Sequence, residues 1–112
     1  SKKTKISKNV FIANGVIINS NSEIKDHSVI NTGSIIEHDC VIGRFVNISP
    51  NCTILGNTII SDEVSIGAGS VIKQNIKIGK KNVIGSNSFV NKNINSKNKI
   101  YLGNPAKPYE KK

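Results

Sequence analysis

The sequence predicts an all-β chain, a parallel β-helix of about five triangular coils followed by a short C-terminal tail. Three observations predict it. The first is a step of six. From Ile6 the aliphatic positions run Ile12, Ile18, Ile24 and onward without a gap to Ile84 and Val90, fifteen β-branched residues in succession. A helix repeats every 3.6 residues and a lone strand every two, so neither accounts for this period. A fixed period of six is the mark of a hexapeptide β-helix. The second observation is the position two residues earlier in each hexad, which is mostly small or apolar: Ser22, Ser28, Ser34, Cys40, Val46 and Cys52, for example. Strand alternation puts both positions on one side, where large Ile against small Ser, Cys or Val fills a narrow interior. The third is composition. Ile, Val, Asn, Ser, Lys and Gly dominate, and aromatics amount to three Phe and two Tyr. β-Branched residues suit a pleated stack, and Asn and Gly suit repeated tight corners.

A chain of 112 residues is expected to form one domain. Three hexads close one triangular coil, so fifteen hexads give five coils over residues 6–95, with a tail over 96–112. The position just before each aliphatic faces outward and sorts into three rows. The first face reads Lys5, Glu23, Val41, Ile59 and Lys77. The second reads Phe11, Val29, Asn47, Ser65 and Val83, and the third Ile17, Ile35, Thr53, Val71 and Phe89. The second and third are too apolar for open solvent, which predicts a subunit interface, best served by three-fold symmetry. Both turn polar in the third coil, at Asn47 and Thr53, as a wet site between subunits would require. Gly43, Gly67, Gly79 and Gly85 directly follow their aliphatics, where the chain nears a corner.

The tail contains Ile100-Tyr101-Leu102-Gly103-Asn104-Pro105-Ala106-Lys107-Pro108. Its prolines are expected to end the ladder, and Ile100 and Leu102 to pack back along the prism. Ser1 to Lys5 offers little to cover the first coil, whose end would expose backbone donors and acceptors. A further domain preceding this one in a longer parent chain is therefore expected.

No apolar run is long enough for a membrane span, and no basic start, apolar centre and cleavage site mark a signal peptide. Two cysteines make no disulfide framework. A cytoplasmic location is the simplest expectation. The net charge of +9 would attract a phosphate-rich ligand. The lysines are scattered, and no aromatics are interleaved as a base-stacking surface needs, which argues against nucleic acid.

Two histidines are present. His27, in Lys25-Asp26-His27-Ser28, has no supporting pattern and reads as a solvated corner residue. His38, in Glu37-His38-Asp39-Cys40, lies between two carboxylates. A neighbouring acid fixes the imidazole tautomer and raises its basicity, so that it takes a proton from an attacking amine or hydroxyl. By itself the triplet reads equally as a polar corner. Two histidines are too few for a three-His zinc site, and no metal is expected. Cys40 and Cys52 occupy inward positions and read as small core thiols.

The block Ile36-Glu37-His38-Asp39-Cys40-Val41-Ile42-Gly43, the following Phe45-Val46-Asn47-Ile48-Ser49-Pro50 and the closing Gly103-Asn104-Pro105-Ala106-Lys107 carry a resemblance. From about Ser28 onward the chain is similar to the C-terminal catalytic domain of the sialic acid O-acetyltransferase and UDP-amino-sugar N-acetyltransferase family. These are hexapeptide acyltransferases with a left-handed β-helix. The left hand is implied by the resemblance alone, since general crossover rules favour the right. The resemblance also implies a homotrimer with sites between subunits. Acetyl-CoA would donate an acetyl group directly to an amino or hydroxyl group of a nucleotide-activated or acidic sugar. In that reading His38 is the general base and Asp39 the acid that increases its basicity. Gly56 is a backbone position beside the coenzyme, Ala68 and Ser86 line the pantetheine arm, and Lys107 meets a coenzyme phosphate as a point charge.

One residue departs from the family pattern. Asn47 stands where the family often has a second His that contacts the acetyl group. Asn still donates a hydrogen bond to a thioester carbonyl, but it cannot act as a base. The family's N-terminal substrate-binding domain has no counterpart in these residues. The competing reading is a non-catalytic β-helical trimerisation or scaffold module, which would need neither Glu-His-Asp at a corner nor polar breaks in both apolar rows.

Overall fold

In the computed structural model, which describes residues 3–110, the chain winds as a left-handed parallel β-helix. Fifteen strands of two residues each, from Lys5–Ile6 to Phe89–Val90, recur every six residues, and no helix occurs among the described residues. Each of the first twelve strands pairs in parallel with the one eighteen residues on. On the first face Ile6 pairs with Ile24, Ile24 with Ile42, Ile42 with Ile60 and Ile60 with Ile78. The three faces are the three rows read from the sequence.

The corners explain the asparagines. Four residues join consecutive strands: a linker, two turn residues and the small inward residue. The second turn residue takes a positive φ at every sixth position from Asn9 to Asn87, with φ between 54° and 63° at non-glycines and 73–74° at Gly15, Gly33 and Gly69. Gly enters that region freely and Asn at low cost. Asn accordingly fills it at 9, 21, 51, 57, 75 and 87.

Inside, eleven isoleucines from Ile24 to Ile84 are fully buried, each worth about 1.5–3 kcal/mol of apolar burial. The small positions do more than fill volume. Ser28 Oγ donates to the Gly43 carbonyl at 2.6 Å and accepts the Val46 N–H at 3.0 Å. Ser34 does the same with the Ser49 carbonyl (2.9 Å) and the Cys52 N–H (3.1 Å). The thiols follow suit: Cys40 Sγ donates to the Leu55 carbonyl and Cys52 Sγ to that of Gly67, each at 3.2 Å. Both thiols are free, and burial pushes their pKa up. Corner carbonyls that would otherwise be buried unpaired thus find donors. A Cβ on Gly43 or Gly67 would lie within 2.9 Å of the backbone of the next coil, so these positions must be glycine.

The two ends differ. Ile6 and Ile12 of the first coil are 48% and 37% exposed, because no layer lies beneath them. At the other end the structure corrects both expectations about the tail. The ladder does not stop: Ile100–Gly103 continues the second face in parallel, Val83 pairing with Ile100. Ala106–Pro108 then returns antiparallel to it. The prolines are tolerated because Pro105 sits in the turn and Pro108 in the outermost strand, where a missing N–H costs little. Ile100 and Leu102 do not pack back along the prism but are each 43% exposed. Tyr101 packs against the core instead. Buried Asn82 fixes this route. Its Nδ2 donates to the carbonyls of Gly79 (3.0 Å) and Ser96 (2.7 Å), and its Oδ1 accepts the Lys99 N–H at 3.0 Å.

Candidate active site

The corner from Glu37 to Cys40 joins the strand Ile35–Ile36 of the third face to Val41–Ile42 of the first. His38 takes the first turn position and Asp39 the second, with φ 60°. Asp39 Oδ2 lies 2.9 Å from His38 Nδ1, and the two side chains are 62% and 50% exposed in the order His, Asp. With Nδ1–H donated to the carboxylate, Nε2 keeps its lone pair toward solvent. Of the two flanking acids only Asp39 is engaged with the imidazole. Glu37 Oε1 accepts the Asn19 amide of the preceding coil at 2.9 Å.

The next coil places Gly56 against the ring. A Cβ built there would stand 2.9 Å from both Cε1 and Nε2 of His38. The Asn57 N–H donates to the His38 carbonyl at 2.9 Å, while the Gly56 N–H donates to no carbonyl among the described backbone hydrogen bonds. The Asn57 side chain in turn donates to that of Asn75 at 2.8 Å.

His38, Gly56 and Gln74 line an open groove of ≈ 420 Å³. Gln74 and Asn75 also border a second depression reaching Asn91 and Lys92. Asn91 and Lys92 in turn border a third, ≈ 440 Å³, floored by Val90, Ile94 and Tyr101 and edged by Lys107. Shared lining residues link these depressions along the corner, from His38 through Gln74 and Asn75 to Asn91 and Lys92. His38 and Lys92 are three coil steps apart, about 14 Å at the strand spacing.

A single chain thus brings together His38, Asp39 and Gly56, while Lys107 lies by the C-terminal hairpin in the depression that Lys92 also lines. It does not bring the other expected residues to them. Asn47 is exposed on the second face. Ala68 and Ser86 are exposed at the corner between the second and third faces, on the far edge of the third. Sequence reasoning missed Asn19, Gln74 and Lys92. The signal was present, because steps of eighteen give 74 and 92 from residue 38, and 19 from residue 37. His27 is also more than a solvated corner residue: its ring stacks on Phe45, centroids 4.8 Å apart and planes at 13°.

The pattern of the bacterial transferase hexapeptide (six repeats) matches residues 21–56 and again 57–92. The chain belongs to this hexapeptide family. Among solved structures, the acetyltransferase domain of PglB from Neisseria gonorrhoeae FA1090, in complex with acetyl coenzyme A, is 30% identical with a TM-score of 0.79, over 95% of this chain and 54% of that one. PerB from Caulobacter crescentus, in complex with CoA and GDP-perosamine, is 26% identical with a TM-score of 0.82, over 96% and 54%. WeeI from Acinetobacter baumannii AYE is 31% identical with a TM-score of 0.73, over 92% and 56%. This hexapeptide chain therefore spans little more than half the length of those structures. No curated protein matches it.

Proposed function

We propose that the chain is the acetyl-transferring part of an acetyl-CoA-dependent sugar acetyltransferase, acting as a cytoplasmic homotrimer with sites between subunits. The acceptor is an amino or hydroxyl group on a nucleotide-activated or acidic sugar. The observation that carries this reading is the His38–Asp39 pair beside the bare backbone of Gly56, at the edge of an open groove. The similarity to structures solved with acetyl coenzyme A, and with CoA and GDP-perosamine, supports it. No helix among the described residues is long and apolar enough to cross a membrane.

The chemistry is direct transfer. The acceptor nitrogen or oxygen attacks the thioester carbonyl carbon while His38 Nε2 takes its proton. Asp39, on Nδ1, holds the ring and stabilises the imidazolium. Negative charge gathers on the carbonyl oxygen, where the Gly56 N–H and the amide of Asn47 from a second copy donate hydrogen bonds. The carbon–sulfur bond then breaks, and the proton passes from the imidazolium to the departing CoA sulfur. Ala68 and Ser86 of the second copy border the pantetheine arm, and Lys107 meets a phosphate as a point charge.

The test is calorimetry of acetyl-CoA with the chain as it stands, followed by CoA release with amino-sugar nucleotides such as GDP-perosamine. One site per chain and acceptor-dependent CoA release are expected. A folded oligomer that binds no acetyl-CoA would turn the reading toward a structural module.

A further inference from the structure

We infer that Gly56 is the positioning residue for His38: its missing side chain leaves the space in which the imidazole lies while hydrogen-bonded to Asp39. This rests on the general-base reading above only for its catalytic consequence. The steric argument stands on geometry. Of the fourteen first turn positions from 8 to 86, only 56 is glycine; the others include Asp26, Thr32, Arg44, Pro50 and Gln74. The corner therefore accepts almost any side chain, even proline, at this position. Backbone conformation does not demand glycine either, because Gly56 is not among the positive-φ residues. What distinguishes position 56 is that it follows His38 by one coil, and that its Cβ would stand 2.9 Å from the ring's Cε1 and Nε2.

The obstacle is the far end of an exposed side chain rather than backbone. A methyl group at 56 is accommodated by His38 swinging away, since the three atoms nearest to it all belong to that ring. The swing draws Nδ1 off Asp39 Oδ2 and displaces Nε2 from its place over the corner. Misplacing a catalytic group by about 1 Å costs on the order of 100-fold in rate. Gly56 is thus a position where a substitution neutral to folding is costly to chemistry. The contrast is with Gly43 and Gly67, whose Cβ atoms would strike backbone.

The experiment is Gly56→Ala, read three ways. Imidazole nitrogen NMR on the wild-type chain is expected to show His38 as the Nδ1–H tautomer; G56A is expected to lose that preference while its melting temperature stays put. Turnover is expected to fall about 100-fold in kcat with little change in the donor KM. In a double-mutant cycle, G56A should add nothing further on a His38→Ala background, since Gly56 acts through the ring. An unchanged His38 tautomer in G56A overturns the inference, and so does additivity in the cycle. If the wild type transfers no acetyl group, the proposed function fails, while the tautomer readout still decides the positioning role.

Discussion

The corners 25–28 and 37–40 hold the two histidines of this chain and share one backbone plan, yet they present the imidazole in opposite ways. His38 occupies the first turn position, followed by an aspartate. His27 occupies the second, at φ 63°, with its aspartate before it. One coil further on, His38 meets the bare backbone of Gly56, whereas His27 meets Phe45 and stacks on it. The first arrangement leaves a free ring nitrogen beside a carboxylate and at the edge of a groove. The second spends the ring face on an aromatic contact. In a solenoid, a residue's chemistry is set less by its sequence neighbours than by its slot in the turn and by the residue eighteen positions away.

The strongest way to break this comparison is to remove each histidine in turn. His38→Ala is expected to lower kcat by about 10²- to 10⁴-fold, the range of general-base catalysis. His27→Ala should stay within about twofold of wild type. Steady-state kinetics on the pair checks both, and equal losses would end the distinction between the corners.

A smaller effect separates the acids. Asp39→Asn removes a charge-assisted hydrogen bond to Nδ1, about 1.5 kcal/mol and hence about tenfold in kcat. Glu37→Gln, whose partner is Asn19 rather than the imidazole, should leave kcat near wild type. A larger loss from Glu37 than from Asp39 would reverse the assignment.

On stability the ordering inverts. His27→Ala gives up an exposed aromatic stack, about 0.5 kcal/mol, measurable as a lowered denaturation midpoint. His38→Ala is expected to cost less, since that side chain is largely in solvent.

The smallest effect concerns the inward residues of the same corners, Ser28 and Cys40, which hydrogen-bond alike. Only the thiol titrates. Burial raises the Cys40 and Cys52 pKa values, so above about pH 8.5 the unfolded chain releases protons that the folded chain retains. Stability is therefore unaffected below that range and declines as pH rises through it. Replacing both cysteines by serine should flatten the decline, and in the native protein both thiols should resist alkylating reagents.

Much of the fold was legible because period six is a local property. Each Ile buries itself in its own coil, and steps of eighteen place strand on strand. The three faces and the inward Ser and Cys slots all follow. The site was half legible. Glu37-His38-Asp39 announced itself and the family resemblance singled out Asp39, but sequence order does not show that Glu37 turns to Asn19. The tail was misread because proline was weighed without its position. Pro105 lies in a turn and Pro108 at an edge, and the two acceptors and one donor that buried Asn82 engages to hold the chain over the prism end belong to residues 79, 96 and 99.

By itself the sequence determined the β-helix, its five coils, its core and the corner that holds Glu37, His38 and Asp39, because a strict repeat turns sequence spacing directly into distance. Only the tertiary structure decided that Glu37 turns away to Asn19, and what lies against the His38 ring. Those contacts depend on side-chain direction and on stacking between coils. It also decided that Asn47, Ala68 and Ser86 stand apart from His38 in a single chain, since separate edges of one triangular prism cannot converge on a point.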